Sequence, residues 1–296
     1  MTDAPLSAIP EVGFAIITGS ANWGHAFPED VGIAGVGVLA RDLSFGTPWG
    51  RTDNWKLLEF DGGITADGQT RQALCMYSHG NPRDEIDHSC HRRAFWVLMQ
   101  AGVRRVLACS TIGAVNKAIQ PGDMVIPADI IELTQTPWSL LPGRQRFDAS
   151  GKQIVCAECS AILARTARDS WPAACRVHGI EQGLVCAHAY GPRLTTPAEA
   201  LAFRSMGADI LNHSLAPEAS LSREIGACFV PLAFVTAGFN DYMDRGRGAL
   251  LQENVLPSLS MLTSRIALEV ATRLPHGACV CHGLKSPQPE ERYSRF

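Results

Sequence analysis

Short apolar runs separated by polar, glycine-bearing segments recur along the whole chain. The runs at residues 12–17, 106–109 and 228–235 hold four to eight residues and end in polar or small residues. Runs of this length, bounded by turn-forming residues, are typical of buried strands. The same pattern predicts strands over residues 55–60, 71–77, 124–127, 183–189 and 208–211. The first two of these are expected to pair as a hairpin.

Helical spacing of apolar residues indicates longer elements between the strands. The predicted helices cover residues 88–101, 160–170, 198–206, 216–225 and 250–274. Thr196 and Pro197 suit a helix start, because a threonine hydroxyl caps the first turn and proline fits there. Residues 44–51 are predicted as a surface loop, and residues 110–113 as a loop at a strand end. Residues 134–146 are predicted as a loop, with a pocket wall or a subunit contact as its options. Strands alternating with helices predict an α/β fold, and we expect one domain over 1–296 with a peripheral tail from about residue 276.

The overall composition of the chain limits the kinds of ligand and partner that we expect it to bind. The chain is 46% hydrophobic and 19% charged, with a formal net charge of -3. This charge gives no basic field for nucleic acid, so a small molecule is the expected ligand. No apolar stretch reaches the roughly 18 residues that a transmembrane helix needs, and the N-terminus does not resemble a secretory signal. We therefore expect a cytoplasmic protein with no membrane partner.

Ten cysteines are many for that compartment. Most lie in apolar runs, where cysteine behaves as a small hydrophobic residue. Three groupings suggest a metal: Cys156-x-x-Cys159, Cys279-x-Cys281 and His88-Ser-Cys90-His91. A ribbon-type zinc site needs a second pair at matching spacing, which the sequence does not supply. The prediction is therefore no metal, with Cys279 and Cys281 as exposed thiols or, as the alternative, a strained disulfide.

Polar and hydroxyl-bearing residues follow several of the predicted strands. They are Ser20, Ser78 with His79, Ser110 with Thr111, Asn212 with His213 and Ser214, and Asn240 with Asp241. In open α/β sheets, ligands bind in crevices beyond the carboxyl ends of the strands. This pattern indicates a site for a polyhydroxyl ligand, with phosphate as an option. Structural alternatives remain open: Ser20, Asn240 and Asp241 as helix caps, and His79 as a core histidine.

Several longer motifs resemble one known family. They are ITGS at 17–20, FGTPWGR at 45–51, SHG at 78–80, STIGAVNKAIQPGDMVIP at 110–127, YGPRLTTPAE at 190–199 and MGADILNHSLAPEASLSREIG at 206–226. Because the motifs occur in this order, the chain resembles the trimeric nucleoside phosphorylases, and within that family the 5′-methylthioadenosine phosphorylase branch. The resemblance implies a single domain with a central mixed, partly barrel-like β-sheet flanked by helices. It also implies a homotrimer, with inorganic phosphate as co-substrate and no other cofactor.

The reaction implied by the resemblance is phosphorolysis. Phosphate attacks the anomeric carbon of a purine nucleoside and releases the free base and a ribose 1-phosphate. The enzyme must hold the anion under the sugar and stabilise negative charge on the leaving purine.

The resemblance also assigns roles to individual residues. The family's phosphate contacts match Ser20, His79, Ser110, Thr111 and Ser214, and its nucleoside contacts match Tyr190, Leu194, Thr195, Asn212 and His213. The segment after Thr236 carries the group that hydrogen-bonds the purine. Arg193 is expected to form a structural ion pair.

Three positions depart from the family pattern. Ser78 stands where the family has arginine, so Arg83, or alternatively Arg51, is the expected cationic phosphate ligand. His213 replaces a methionine under the ribose and is expected to contact a sugar hydroxyl.

The third departure follows Thr236, where Ala237, Gly238 and Phe239 replace a segment with two aspartates. Without an insertion the base contacts fall on Ala237 and Phe239, and with one they fall on Asn240 and Asp241. The predicted catalytic residues are His213, Asn240 and Asp241, with Phe239 as a nucleoside contact.

Three functions stay open at this level. The first, which we prefer because Ser20, His79, Ser110 and Ser214 are retained, is a phosphorylase acting on a nucleoside, with a methylthioadenosine-like 5′ substituent as an option. The second is a hydrolase that uses water instead of phosphate. The third is a non-catalytic nucleoside-binding relative.

Overall fold

One mixed β-sheet forms the centre of the fold in the computed structural model, which describes residues 5–22, 24–77, 89–134, 138–140, 154–189, 193–243 and 256–284. Its eleven strands within these ranges are β1 Phe14–Thr18, β2 Val36–Thr47, β3 Gly50–Phe60, β4 Arg71–Tyr77, β5 Arg105–Ala114, β6 Met124–Val125, β7 Asp129–Ile131, β8 Val177–His178, β9 Val185–His188, β10 Ile210–Asn212 and β11 Cys228–Ala237. The α-helices are α1 Cys90–Gln100, α2 Ala157–Ser170, α3 Pro197–Ser205, α4 Leu215–Glu224, α5 Phe239–Met243 and α6 Leu256–Arg273.

The sheet branches at β5. Its main path runs β2-β3-β4-β1-β5-β10-β9-β7, while β11 pairs with β5 on one side and with β6 on the other. β1 is parallel to β4 and β5, and β11 is parallel to β5 along nearly its whole length. All five residues of β1 are buried, as are the first eight of β11, which is the near-continuous apolar character of strands covered on both faces.

The helices cover these central strands in two pairs. α1 packs against α4, and α2 packs against α6, while α2, α4 and α6 all contact β11. The buried stripe of α6 includes the apolar side chains of Leu259, Ile266 and Val270. The α/β fold with a mixed sheet flanked by helices is therefore confirmed. None of the helices within the described ranges is both long and apolar enough to span a bilayer.

Most predicted elements occur at their expected places. The hairpin of β3 and β4 is antiparallel, and Thr196 caps α3 with Pro197 in the first turn. α2 begins three residues earlier than predicted. The predicted loop over 134–146 and the start of the predicted helix over 250–274 lie largely outside the described residues.

The surface loop predicted over residues 44–51 is wrong. These residues form the end of β2, a turn at Pro48 and Trp49, and the start of β3. Phe45 and Trp55 are fully buried with ring centroids 5.6 Å apart, so the hairpin carries its own apolar contact. Turn-forming residues within half-exposed strands concealed this pairing from a pattern-based prediction.

The loop predicted over residues 110–113 is also wrong. β5 continues to Ala114 because β11 pairs with it as far as Gly113. The segment after Thr236 is helical from Phe239, so Asn240 and Asp241 lie in α5.

The C-terminal tail is not wholly peripheral. Residues 280–284 form a 3-10 turn in which Cys281 is 3% exposed and Cys279 packs on the core. The prediction of exposed thiols there is wrong, because tertiary packing covers a segment that looks polar in sequence.

Candidate active site

A cavity of about 540 Å³ opens where β5, β10 and β11 end. Its volume lies within the range of roughly 300–1,000 Å³ that is typical of small-molecule sites. Its walls include Thr111, Asn212, His213 and Thr236, together with residues of the segment before α3 and of α5. Several of the predicted site residues therefore meet in one place.

A gap in strand pairing creates the floor of this cavity. β1 pairs with β5 as far as Ala108, and β10 joins the same edge of β5 at Gly113. The four residues between them have no strand partner on that edge among the described strands. Ser110 and Thr111 lie in this gap, so their polar groups are available to something other than a neighbouring strand.

The side chain of Asn212 bridges the gap. Its Nδ2 donates to Ser110 Oγ at 2.7 Å and to the Thr111 carbonyl at 2.9 Å. Its Oδ1 accepts from the backbone N–H groups of Ser214 and Leu215, both at 2.7 Å, at the start of α4. Because the carboxamide is held at both ends, Asn212 fixes β5 relative to α4.

The hydroxyls at this site have different surroundings. Thr111 lines the cavity and is half-buried, and Thr236 donates to the Ile112 carbonyl at 3.3 Å. Ser110 is buried behind Thr111, with Asn212 as donor to its oxygen. Ser214 is only 2% exposed and its hydroxyl donates to Asn212 Oδ1, so it does not line the cavity in this state.

His213 reaches the cavity with a defined tautomer. Its Nδ1 is hydrogen-bonded to the carbonyl of Ala189. Because a carbonyl only accepts, Nδ1 carries the proton, and in the neutral ring Nε2 is the acceptor. His213 can therefore accept a hydrogen bond from a ligand hydroxyl, which the methionine of the family pattern does less well.

The rim of the cavity is formed by the residues before α3. Leu194 is 83% exposed and lies on the rim with Thr195. Arg193 donates to Glu199 at 2.8 Å, as expected for a structural ion pair. This pairing and the Thr196 backbone N–H hold the pKa of Glu199 at about 2. The salt bridge is on the surface, so its part in stability is small.

Residues after β11 divide between two cavities. Asp241 lines the main cavity and also a smaller one of about 270 Å³, where Phe239 and Asn240 lie. The Asp241 carboxylate accepts from the Gly238 N–H at 2.7 Å. Phe239 lies under the cations of Lys117 and Arg204, with centroid distances of 4.9 and 4.8 Å. Of these three predicted residues, Asp241 alone borders the main cavity.

Tyr242 is a cavity residue that the sequence analysis did not identify. It stands over Gly113 so closely that a Cβ at that position would overlap its hydroxyl. Burial, with the charge of Asp241, raises the pKa of Tyr242 to about 12, so its phenol is neutral and can donate a hydrogen bond. The available signal was Gly113 inside a strand, which is typical of a close approach by another group.

The remaining predicted residues have other placements. His79, Arg83 and Tyr190 lie outside the described residues, as does the side chain of Ser20. Arg51, the alternative phosphate ligand, donates to Asp53 and to Ser44 Oγ at 2.9 Å within the β2–β3 hairpin. It does not line the cavity.

The fold and the cavity together define an α/β protein with a small-molecule site at the ends of its central strands. The chain belongs to the phosphorylase superfamily, whose family model matches residues 67–271, more than half of the chain. The predicted family is thereby confirmed.

Individual relatives carry more specific names. The S-methyl-5′-thioadenosine phosphorylase of Pyrococcus horikoshii is 30% identical over 233 residues, covering 77% of this chain and 79% of that protein. A probable S-methyl-5′-thioinosine phosphorylase of Methanopyrus kandleri is 30% identical over 168 residues, covering 55% of this chain. The match spans 63% of that relative's length, which is less than two thirds.

Solved structures agree on the fold. A methylthioadenosine phosphorylase sourced from an antarctic soil metagenomic library superposes with a TM-score of 0.75 at 21% sequence identity. The superposition covers 95% of this chain and 94% of that one. At this identity the likeness establishes the nucleoside phosphorylase fold and leaves the substrate to the site.

Proposed function

We propose that this protein is a purine nucleoside phosphorylase, a pentosyltransferase that cleaves the N-glycosidic bond with inorganic phosphate. The products are the free base and a ribose 1-phosphate. Family membership supports the reaction class, and relatives named for methylthioadenosine, methylthioinosine and 6-oxopurine nucleosides support a purine substrate. The observation that carries the proposal is the meeting of Thr111, Asn212 and His213 at the gap in β5.

The sugar is proposed to lie over this gap. His213 Nε2 accepts a hydrogen bond from a ribose hydroxyl, while Asn212 holds the floor of the site in place. The anion approaches from the side of Ser110 and Thr111, where Ser20, His79 and Arg83 complete its contacts. Ser214 joins them only if its hydroxyl turns from Asn212 toward the anion. Positioning of the two reactants in this way accounts for much of the rate of such a displacement.

The base is proposed to lie between the rim and α5. Leu194 and Thr195 flank one side, and Asp241 and Tyr242 close the other. As the glycosidic bond breaks, negative charge develops on the purine, and the neutral Tyr242 hydroxyl is a donor available to stabilise it. Tyr190 is proposed as a further nucleoside contact. Asn240 is proposed to affect catalysis indirectly, by helping to position α5.

One observation favours a hydrolase as second candidate. The described residues around the main cavity include no arginine or lysine, and Arg51 is bound elsewhere. A phosphate dianion needs compensating charge, whereas water does not. Whether Arg83 reaches the anion therefore separates the two reactions.

The deciding experiment measures release of free base from a panel of purine nucleosides with and without phosphate. The panel contains adenosine, inosine, methylthioadenosine and methylthioinosine. We expect release that depends on phosphate and yields a ribose 1-phosphate in equal amount. Release at the same rate without phosphate would establish the hydrolase instead. Binding without any release would leave the third function, a nucleoside-binding protein.

The assembly is proposed to be a homotrimer with its sites near the subunit contacts. Leu194, Leu201 and Met206 are exposed apolar side chains on and beside α3, and Leu194 lies on the cavity rim. Exposed apolar side chains grouped in one region are typical of interaction surfaces.

A further inference from the structure

Four cysteines meet in the core at a distance from the active site. The sulfur atoms of Cys156, Cys228, Cys279 and Cys281 all lie within 4.8 Å of one another. Cys156, Cys228 and Cys281 are buried, and Cys279 is half-buried. They come from three separate parts of the chain: the residue before α2, the first residue of β11 and the C-terminal turn.

The spacing of the sulfurs fits a single tetrahedral metal ion. Four thiolates at about 2.3 Å from a zinc ion have sulfur–sulfur distances of about 3.8 Å. Cys156 Sγ and Cys279 Sγ lie 3.8 Å apart. A disulfide would bring two of these atoms to about 2.05 Å, whereas all ten cysteines are thiols here. An iron–sulfur cluster with several metal ions would hold its thiolates farther apart.

Positive charge around the cluster suits a tetrathiolate site, whose zinc complex carries a net charge of -2. Arg105 is 1% exposed and donates to the carbonyls of Arg104 and Gly277 and to His282. Among the described residues, none of the hydrogen-bond partners of Arg105 is a carboxylate. A buried cation without an anion is costly, and Arg105 is the partner of Cys228 in the pairing of β5 with β11.

Two further features place positive charge beside the ligand positions. Cys156 precedes α2, so the positive end of that helix faces it. Arg223, itself buried, donates to Cys281.

We propose that Cys156, Cys228, Cys279 and Cys281 bind one structural zinc ion. All four ligands come from the protein, so the ion has no open position for a substrate. Cys228 and Thr236 lie at opposite ends of β11, about 26 Å apart at roughly 3.3 Å per residue, so the ion lies far from the cavity. Its role is to fasten the C-terminal turn to the start of β11 and α2.

This proposal revises the sequence prediction of no metal. A ribbon-type zinc site has two pairs of cysteines at matching sequence spacing. The fold instead combines one close pair, Cys279 and Cys281, with the isolated ligands Cys156 and Cys228. Cys159, the partner of Cys156 in the sequence pair, is fully buried beside the cluster and is not one of the four.

The first test is the metal content of the full chain. Protein purified without chelators and freed of loosely bound ions is analysed by plasma mass spectrometry. We expect one zinc per chain in the parent protein and loss of that zinc in the double variant Cys279→Ser with Cys281→Ser. Cys175→Ser is the matched control, because Cys175 is a half-buried thiol outside the cluster, and it should keep the zinc.

The second test uses the parent protein, in case the double variant does not fold. A mercurial reagent should release one zinc per chain, measured with a metal-sensitive dye. Protein stripped of metal and loaded with cobalt should show the visible absorption of tetrahedral cobalt thiolate. Removal of zinc should lower the Tm by several degrees, and added zinc should restore it.

Three results would overturn the proposal. The first is protein with no bound metal and a Tm that neither chelation nor zinc changes. The second is a mass four hydrogens lower under non-reducing conditions, which would assign two disulfides to these cysteines. The third is stoichiometric iron in place of zinc.

Discussion

Asn212 joins β5, β10 and α4 through one carboxamide. Its Nδ2 donates to Ser110 and Thr111, and its Oδ1 accepts from the first turn of α4. The residue thus supplies bonds that a neighbouring strand would otherwise provide in the gap along β5. The resemblance placed Asn212 beneath a ribose, and the contacts add that it first holds the site together.

Replacement of Asn212 by alanine should destabilise the protein. Asn212→Ala leaves the Thr111 carbonyl and two N–H groups of α4 without their partners, at a cost of about 2–4 kcal/mol. Urea denaturation measures the change. The control is Asn240→Ala, since Asn240 is exposed and its loss should change the free energy of unfolding by less than about 0.5 kcal/mol. Equal stability of the two variants would contradict this role.

We predict that His213 contributes to substrate selectivity through a contact with the sugar. Methionine, the residue of the family pattern, lacks the acceptor Nε2. His213→Met should therefore lower kcat/KM about fivefold to tenfold for nucleosides whose sugar hydroxyl donates to Nε2. The measurement compares nucleosides with and without each ribose hydroxyl. A substrate profile that His213→Met does not alter would mean that the ring only packs.

His188 predicts a loss of stability in mild acid. The ring is 2% exposed, and its Nδ1 has no hydrogen-bond partner within the described ranges of the chain. Burial, with the neighbouring His213, lowers its pKa to about 4. Between the unfolded pKa of about 6.5 and pH 4, the unfolded chain binds a proton that the folded chain does not. Stability therefore falls as the pH falls through this window.

The expected size of this loss is about 2 kcal/mol between about pH 7 and about pH 5, at about 1.4 kcal/mol per pKa unit. Denaturation curves at the two pH values measure it. His188→Gln has no group that titrates there, so its stability should depend less steeply on pH. The same slope in both proteins would assign the effect to other groups.

At the scale of elements, α3 sets one wall of the site. Thr196 and Glu199 form a reciprocal capping box, in which Thr196 Oγ1 accepts from the Glu199 N–H at 3.2 Å and Glu199 accepts from the Thr196 N–H at 2.8 Å. These bonds fix the start of the helix beside Thr195 and Pro197, which line the cavity. The motif was readable in sequence because capping is a local interaction.

Loss of the capping box should weaken both the helix and substrate binding. Thr196→Ala should cost about 1 kcal/mol of stability and raise KM, because the rim residues lose their anchor. Thermal unfolding and steady-state kinetics measure the two effects. Ser205→Ala, at the other end of α3, is the control and should leave KM unchanged. If both variants behave alike, the box does not position the rim.

The approach of α5 to β5 shows what local patterns miss. Tyr242 covers Gly113, although 129 positions separate them in the chain. The contact arises because β11 runs parallel to β5 and then turns into α5 above the gap. Gly113 indicates a close approach by some other group. A residue pattern within either element does not show which residue makes that approach.

At the scale of the whole molecule, the proposed trimer is the prediction to test. Light scattering should give three times the chain mass of 31.9 kDa. Leu201→Glu places a charge on the exposed apolar side of α3 and should shift the mass toward monomer, since burying an unpaired charge at an interface is costly. The exposed Leu39→Glu, on β2, is the control. A monomeric parent protein would refute the trimer.

The proposed zinc site acts at the same scale. Its ligands link the last described segment of the chain to the beginnings of α2 and β11. Such a link stabilises the folded state because the unfolded chain does not present the four thiolates together.

The sequence by itself determined most of the local elements and the motifs that indicate the family. Buried strands such as β1 and β11 need continuous apolar residues, and α3 needs its cap, so these features are written in adjacent positions. The motifs around Ser110 and Asn212 were likewise readable because each lies within one segment.

Only the tertiary structure decided which distant groups meet. The half-exposed hairpin of β2 and β3, the Asn212 bridge, the Tyr242 contact and the cluster of Cys156, Cys228, Cys279 and Cys281 all depend on pairing between remote segments. The physical reason is that a hydrogen bond or a metal ligand acts over a few ångströms in space. Within one helix or strand, the separation of two residues in sequence determines the distance between them. Between two elements it does not, because that distance depends on how the elements pack.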